Sequence, residues 1–415
     1  MSIKVDPTML KDLKAYGLSD VNKCYHCGNC SSACPLSTPG NTFPRKFMKY
    51  AQMGLVDKIK EGPEPWLCFQ CNDCSIQCPR GANPGDTMAA IRRQALVEYG
   101  SPKFLAKLVG SGSMIKPMLF AVIVLALTLV LRYPLEAVLK PALDAFGHFM
   151  GMHPHEGAVV YANFFPHWLL IGLFTGATVF TLISGLFGVK KFWDTMAAAD
   201  SKKGLTPNGN GVIGSLLKVL PNIIAHKDFG ECDSAASRKT SHLLLVVGFI
   251  VLFLVTTYAV ISLYLLKVYP FDLIHPAKIF GNLGGLALTI GVILMMVNRK
   301  NNPDKMGLAT NFDWTFLWVI LGVGITGFLA QFLRFAGNAP VAYTIYFIHL
   351  IFVFYLLVFL PYSKFGHLLY RTAALTYAEY SGRNKVTTAL PESTPAVTPP
   401  AEEKTDEKAE EKKEA

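Results

Sequence analysis

Eight of the nine cysteines lie within residues 24–78, in two copies of one motif. The first copy reads CYHCGNCSSACP from residue 24, and the second reads CFQCNDCSIQCP from residue 68. Each copy has the spacing C-x2-C-x2-C-x3-C-P. Thiolates at this spacing are typical ligands of a [4Fe–4S] cubane, in which each iron takes one soft ligand. Where two such motifs occur together, the fourth cysteine of each copy binds the other cluster.

The spacing therefore predicts two clusters that exchange their fourth ligands. We expect the first cluster to be bound by Cys24, Cys27, Cys30 and Cys78, and the second by Cys68, Cys71, Cys74 and Cys34. The alternative is structural zinc, but zinc sites more often use two separated ligand pairs than a triplet plus one. Because neither cubane has an open coordination position, the pattern predicts electron transfer rather than substrate chemistry.

Histidines in and beside the apolar part of the chain are the second set of chemically capable residues. His349 lies within the last apolar run, and His367 follows it in PYSKFGHLLYR. On one continuous helix this spacing is five turns, which puts both imidazoles on one face about 27 Å apart. That separation suits two haems stacked across a bilayer. Ionisable side chains within membrane spans are costly and usually functional.

Two b-type haems with two axial histidines each need further ligands from other helices. Depth in the predicted topology pairs His167 with His349 for the outer haem, and His242 with His367 for the inner haem. His275, just before the fourth apolar run, is the alternative to His167. The sequence assigns no catalytic residue and no quinone site. Asp313 and Arg334, at the two ends of the fifth run, are candidates for a proton-exchanging group at a quinone, or they reach towards the membrane surface.

Six apolar runs must position these histidines. Each is near the roughly 20 residues that a membrane-spanning helix needs, and they lie at about 115–134, 167–189, 242–266, 277–297, 313–333 and 341–361. The 415 residues are 51% hydrophobic and only 16% charged, whereas soluble domains hold about 25% charged residues. This composition excludes an ordinary soluble enzyme. The net charge of +10 does not indicate nucleic acid, because the basic residues flank the apolar runs.

The distribution of basic residues predicts the orientation in the membrane. Lysines and arginines concentrate in alternate loops, such as those holding Lys190, Lys191, Arg299 and Lys300, and those loops are expected inside. Residues 1–20 are polar and mixed in charge, so we expect no signal peptide. The result is a six-span protein of the cytoplasmic (inner) membrane with both termini in the cytoplasm. The inner sequence GVIGSLLKVLPNIIA is expected to form a helix along the interface.

The predicted fold class is mainly α. A small α-helical, ferredoxin-like domain with two [4Fe–4S] clusters (1–110) precedes a six-helix transmembrane dihaem b bundle (111–384). The tail 385–415, rich in Pro, Glu and Lys, is expected to be disordered. Between the two motifs, the apolar spacing of FPRKFMKYAQMGLVDKIKEG predicts a helix that closes at Gly62.

Two stretches resemble known families. Residues 20–80 resemble the small iron–sulfur subunit of heterodisulfide reductases, and FIHLIFVFYLLVFLPYSKFGHLLYR at 347–371 resembles the dihaem cytochrome b subunits of respiratory nitrate reductase and membrane heterodisulfide reductase. In those cytochromes both histidines of this last helix are axial ligands, which carries over to His349 and His367. One departure is Leu252, ten residues after His242, where the nitrate reductase pattern has a second histidine on the same helix.

The fusion of both modules resembles the C subunit of the quinone-interacting membrane-bound oxidoreductase of sulfate-reducing bacteria. That resemblance implies oxidation of menaquinol and electron transfer through two b haems and two [4Fe–4S] clusters. It also implies soluble flavin- and iron–sulfur-containing partner subunits and, ultimately, electron delivery to adenylylsulfate reductase. The alternative is a heterodisulfide reductase-like complex that reduces a disulfide or trisulfide. A transporter with an iron–sulfur sensing domain would need acidic residues at mid-span, and the six runs have no Asp or Glu at their centres.

Overall fold

The computed structural model describes residues 5–18, 20–150, 159–204, 207, 211–227, 236–266 and 271–383. These residues form helices joined by turns, with one isolated bridge between Thr38 and Asn41 and no β-strand in the described ranges. The predicted mainly α class is therefore confirmed. The tail predicted to be disordered, 385–415, lies outside the described residues.

The part that carries the cysteines is built from short helices around one longer helix. In chain order these are α1 (Met9–Ala15), α2 (Asn29–Ser32), α3 (Arg45–Gln52), α4 (Val56–Lys60), α5 (Glu64–Leu67), α6 (Asp73–Ile76), α7 (Pro84–Tyr99) and α8 (Lys103–Gly110). Helix α7 begins with Pro84, whose missing N–H costs nothing in the first turn. Leu13, Phe47, Met48 and Met88 are almost fully buried and pack α1, α3 and α7 together.

The single helix predicted between the two motifs is wrong in detail. Residues 43–62 form two helices, α3 and α4, which are separated at Gly54. The backbone of Gly54 has φ +67°, and an added Cβ would lie 2.3 Å from the carbonyl oxygen of Asp6. The apolar periodicity continues across this turn, so the sequence pattern does not reveal the break.

The remaining helices form the apolar part of the chain. They are α9 (Ile115–Met150), α10 (Tyr161–Phe164), α11 (His167–Lys202), α12 (Gly211–Ile224), α13 (Ala236–Ile261), α14 (Pro276–Asn301), α15 (Pro303–Met306), α16 (Asn311–Phe335), α17 (Ala339–Val358) and α18 (His367–Tyr380). Helices α9, α11, α13, α14, α16 and α17 are long and apolar enough to cross a bilayer. These six agree with the predicted runs and are consistent with a multi-pass membrane protein.

Two of the six helices extend well past their predicted ends. Helix α9 continues beyond 134, and α11 beyond 189. A helix can continue past the end of an apolar run, because alanine favours helix and Lys–Asp pairs one turn apart stabilise it. In the extension of α11, Lys190 and Asp194 form an i, i+4 ion pair of 2.6 Å.

The last predicted span contains the main error of the sequence-based prediction. His349 and His367 do not share one continuous helix, since α17 ends at Val358 and α18 begins at His367. Two short 3-10 segments, Leu360–Tyr362 and Lys364–Gly366, connect the two helices. Pro361 has no N–H to continue the α-helical ladder, which explains the break. The predicted 27 Å rise along one axis therefore does not apply.

The loop between α11 and α13 contains the predicted interfacial helix as α12. Its exposed side chains include an apolar stripe at helical spacing, formed by Ile213, Leu217, Leu220 and Ile224. The side chain of Ser215 is buried on the opposite face, where α12 packs against α18 and Lys218 pairs with Glu379. An outward apolar stripe suits contact with lipid.

The cysteine-bearing part packs directly on one end of the helical bundle. The indole of Trp66 stacks on Tyr370 of α18 with ring centroids 5.2 Å apart, and Tyr99 at the end of α7 contacts Phe192 of α11 at 5.4 Å. The hydroxyl of Tyr362 donates to the carbonyl of Ser101 (2.6 Å). Aromatic contacts of this kind are each worth about 0.5–1.5 kcal/mol beyond the area they bury. The two parts are therefore held at a fixed junction.

Candidate metal centres

The internal duplication seen in the sequence is reproduced in the backbone. In each motif the residue before the second cysteine has a left-handed conformation, at His26 (φ 57°) and Gln70 (φ 55°). The residue after the second cysteine is also left-handed, at Gly28 (φ 96°) and Asn72 (φ 73°). A short helix then follows, α2 in the first copy and α6 in the second. Both loops thus follow the same backbone path.

The first predicted set of cysteines is brought together. Burial, with smaller contributions from the nearby thiols of Cys24, Cys78 and Cys27, raises the pKa of Cys30 to about 11. Cys78 reaches this group from the second motif, as the exchanged-ligand prediction requires. Several thiols close together, one of them buried, are costly to ionise unless a cation is bound among them. The donor set therefore fits an iron–sulfur cluster.

The second predicted set lines one shallow recess. Among the residues that line it are Cys34, Cys68, Cys71 and Cys74, with Phe43, Met88 and Gly85 beside them. Burial raises the pKa of Cys34 to about 12, with Cys68 and Cys71 contributing. The amide of Gln70 donates to the sulfur of Cys68 (3.3 Å). Soft ligands around a cavity that is apolar on its other walls again fit a cluster.

Zinc and an iron–sulfur cluster require different arrangements of four thiols. In the described ranges, no three His, Cys, Asp or Glu side chains converge closely enough to bind one ion together. A mononuclear zinc site needs four ligands within about 2.3 Å of one atom. A cubane instead offers four separate irons, and its ligands lie farther apart. The preference for iron–sulfur clusters over zinc therefore rests on the ligand spacing in the sequence.

His242 and His367, the predicted inner pair, face each other. Their ring centroids are 6.4 Å apart and the ring planes are inclined by 69°. Two imidazoles that bind one iron through bonds of about 2 Å have centroids about 6 Å apart. The centroid separation of the pair is therefore compatible with two imidazoles bound to one metal ion.

Hydrogen bonds fix which nitrogen of each ring would face the iron. The Nδ1–H of His367 donates to the carbonyl of Lys364 (2.6 Å), because a carbonyl can only accept. His226, a residue not singled out from the sequence, donates from Nδ1 to the carbonyl of Ile224 (2.8 Å) and thus has an accepting Nε2. That Nε2 lies 3.1 Å from Nδ1 of His242, which must donate to it. Both His367 and His242 therefore carry their ligand lone pair on Nε2.

We predict that His226→Leu weakens the inner haem site without emptying it. The variant removes the acceptor of the His242 Nδ1–H, so His242 becomes less basic and the ferric state is less stabilised. We expect haem affinity to fall by roughly 10-fold and the midpoint potential of one haem to rise. Spectroelectrochemical titration of the b-type absorption checks this. His226→Gln, whose side-chain oxygen can accept the same hydrogen bond, is the matched control and should stay near the parent potential.

His349 of the predicted outer pair has the same arrangement. The hydroxyl of Thr326 donates to the carbonyl of Gly322 (2.5 Å), so its oxygen accepts from Nδ1–H of His349 at 3.0 Å. Gly327 lies against the ring, since a Cβ there would be 3.2 Å from Cε1 of His349. Nε2 is again the nitrogen for a metal.

The predicted partners of His349 differ in what their rings can do. His167 is the first residue of α11, which runs beside α17, with Phe174 against Phe354 at 6.2 Å. Phe164 contacts Phe347 at 6.1 Å, so the chain just before α11 lies beside the part of α17 that carries His349. The rival His275 caps α14 and accepts from the amide of Ala277 at Nδ1 (3.2 Å). This places its proton on Nε2 and disfavours it as a ligand.

Asp313, a sequence candidate for quinone chemistry, lies instead in a buried ion-pair cluster at the junction. Its carboxylate contacts Lys364, Arg93 (3.4 Å) and Arg299 (3.8 Å), and it caps α16 through Thr310 (2.9 Å). A carboxylate surrounded by three cations is poorly suited to exchange protons with a quinone. We therefore interpret it as structural. Arg334 lies in the last turn of α16.

Several residues around these sites were not found from the sequence. Arg92 and Arg371 both donate to the carbonyl oxygen of Cys68, Arg371 at 2.9 Å. Arg371 follows His367 by one helical turn, which is the only sequence signal that points to it. His226 and Thr326 lie in other helices or loops than the rings they contact, so no spacing rule connects them.

Comparison with known proteins covers both parts of the chain. Residues 116–388 match the family described as citrate utilization protein B, and residues 20–82 match the 4Fe–4S dicluster domain. No solved structure matches the chain.

The curated relatives align with the cysteine-bearing part. A protein of Archaeoglobus profundus, described as like the C subunit of heterodisulfide reductase, is 38% identical over 88 residues, which is 21% of this chain and 47% of that protein. The iron–sulfur C subunit of the CoB–CoM heterodisulfide reductase of Methanopyrus kandleri is 37% identical over 75 residues, or 18% of this chain and 39% of that protein. The C subunit of the ferredoxin:CoB–CoM heterodisulfide reductase of Methanosarcina mazei is 35% identical over 88 residues, or 21% and 53%. The chain spans about half the length of the curated relatives it matches.

Proposed function

We propose that this chain, which belongs to the citrate utilization protein B family, is a membrane electron-transfer subunit. It carries a 4Fe–4S dicluster domain in front of six apolar helices. It would oxidise menaquinol and pass electrons through two b haems and two [4Fe–4S] clusters to soluble flavin- and iron–sulfur-containing subunits, and ultimately to adenylylsulfate reductase. The observation that carries the proposal is the pair of facing imidazoles, His242 and His367, beside a domain with two cysteine sites.

In this proposal each site is held by residues of this chain. The clusters are held by Cys24, Cys27, Cys30 and Cys78, and by Cys68, Cys71, Cys74 and Cys34; the haems are held by His242 with His367 and by His167 with His349. When bound, these groups supply one-electron carriers between a two-electron quinol and the aqueous partner. The protein holds the ligand tautomers through Lys364, His226 and Thr326. It also fixes the domain junction, so that the sites keep a constant separation.

The six apolar helices and the basic loops support a location in the cytoplasmic membrane with both termini inside. The iron–sulfur domain and α18 lie at the same end of the bundle, which suits one aqueous side for both. Soluble partner subunits would then meet the iron–sulfur domain in the cytoplasm.

A second candidate function follows from the relatives. They are named as C subunits of heterodisulfide reductases or as similar to one, so the same electron path would serve a partner that reduces a disulfide or trisulfide. The chain's own sites are identical in both cases. Copurification of the partner distinguishes the two, because only one complex contains a disulfide-reducing subunit.

The proposal is tested by metal and haem analysis of the intact chain purified without oxygen. We expect about eight irons with matching acid-labile sulfide in two cubanes, two haems by pyridine haemochrome, and a b-type spectrum that appears on addition of menadiol. Zinc in place of iron, or no haem, would contradict it.

A further inference from the structure

The two cysteine sites are not equivalent in their distance from the membrane part. The loop of the second site is tied to α18, because Arg371 donates to the carbonyls of Trp66 (3.1 Å), Leu67 (3.2 Å) and Cys68 (2.9 Å). The guanidinium of Arg371 also lies over the ring of Phe69, 5.6 Å from its centroid. One side chain of α18 therefore binds the backbone at the start of the second motif.

Arg371 is also close to the inner haem site. It follows His367 by four residues on α18, so the two side chains lie on the same face of the helix, one turn apart. One turn of α18 and one hydrogen bond thus connect His367 of the inner pair with Cys68 of the second site.

A second contact joins the second site to the bundle. The amide of Asn72, which lies between Cys71 and Cys74, donates to the carbonyl of Asp304 in α15 (2.5 Å). Close by, the amide of Leu308 donates to the carboxylate of Asp86 (2.8 Å). The loop between α14 and α16 therefore contacts the second motif directly.

The first site is oriented differently. Cys27 is exposed, and the nearby residue Tyr25 is 71% exposed. The contacts around this loop come from the same domain: Arg80 lies over Tyr25 at 4.4 Å, and His26 bonds to Gln52 at 2.6 Å. This loop meets the aqueous phase rather than the bundle.

From these contacts we propose an order for the two cysteine sites, which rests on the proposed function. The site of Cys68, Cys71, Cys74 and Cys34 exchanges electrons with the haem site of His242 and His367, and Arg371 is the positioning residue of this contact. The site of Cys24, Cys27, Cys30 and Cys78 meets the soluble partner. Electrons move one at a time between the sites. For every two electrons that reach the partner, one quinol is oxidised to quinone and releases two protons.

The test uses the full-length chain with one cluster removed at matched positions. Cys27 and Cys71 are the second cysteines of the two motifs, so Cys27→Ser and Cys71→Ser are equivalent changes. Each protein is reduced with dithionite, desalted and mixed with menadione, and the remaining reduced cluster is followed by freeze-quench EPR. His367→Gly gives the rate of direct, haem-independent oxidation.

We expect the cluster that remains in Cys27→Ser to be reoxidised as fast as in the parent. The cluster that remains in Cys71→Ser should be reoxidised only at the rate seen in His367→Gly. The opposite result would overturn the order of the sites and leave the proposed function intact. Reoxidation at the His367→Gly rate in both variants and in the parent would instead overturn the proposed function itself.

A pair of arginine variants decides the question if either cysteine variant fails to fold. Arg371→Gln should slow cluster reoxidation by about 10-fold, with iron and haem contents unchanged, and should shift the midpoint potential of one cluster. Arg80→Gln, beside the first site, should leave internal transfer at the parent rate, because menadione needs no soluble partner. Equal rates in both variants would contradict the role of Arg371.

Discussion

Replacement of His367 by glycine is expected to remove one of the two proposed haems and to stop electron exchange between quinol and clusters. The ring of His367 lies 6.4 Å from that of His242, and its Nδ1–H is held by the Lys364 carbonyl. Without this ring the iron loses one of its two axial nitrogens. Pyridine haemochrome should report half the parent haem content per chain, and menadiol should no longer equilibrate with the clusters.

One rescue experiment and two further variants make this result specific. Added imidazole should restore haem to His367→Gly, since it can occupy the space of the missing ring, and this restoration excludes general misfolding as the cause. His349→Gly should also lose half the haem, but from the outer site. His275→Ala should keep both haems, because Nδ1 of His275 accepts the Ala277 amide. A full haem content in His367→Gly, or a half content in His275→Ala, would refute the assignment.

The iron–sulfur domain was predictable from sequence because the constraint is local, while the assignment of each cysteine to a cluster stays a prediction. Ligand spacing sets which thiols can surround one cluster, and the left-handed residues at His26 and Gln70 show both loops obeying the same geometry. The number of spans was predictable for a similar reason, since bilayer thickness fixes the length of apolar helix required. The pairing of His242 with His367 came from depth alone, and the structure does bring those rings together.

The junction could not be predicted, because its contacts join residues far apart in the chain. Arg93 meets Asp313, and Arg371 meets Cys68, across more than 200 residues. No sequence periodicity predicts such pairs, and each residue alone looks like a charged residue exposed near a helix end. The break after Val358 was missed for another reason. The residues just before and after Pro361 are mostly apolar, so the hydrophobic run continues through the break. Hydrophobicity alone does not distinguish an α-helix from a 3-10 turn.

Asp313→Asn is expected to be the most destabilising of the single changes outside the metal ligands. The carboxylate is 5% exposed and neutralises Lys364, Arg93 and Arg299 from three different segments. The amide keeps the shape and can still accept from Thr310, but it leaves three cations together in a buried place. Removing one partner of a buried ion pair costs about 3–5 kcal/mol. A lowered unfolding temperature and faster proteolysis between the two parts of the chain are the measurements.

The matched control is Asp194→Asn, which removes the same charge from an exposed pair. Lys190 and Asp194 have side chains 71% and 58% exposed, so the loss should be about 0–1 kcal/mol. A second change separates charge repulsion from lost packing: Lys364→Met in the Asp313→Asn chain removes one uncompensated cation and should recover part of the stability. Because the Lys364 carbonyl also holds His367, Asp313→Asn should perturb the spectrum of the inner haem, whereas Asp194→Asn should not. Equal stability of the two asparagine variants would show that the buried cluster does not hold the junction together.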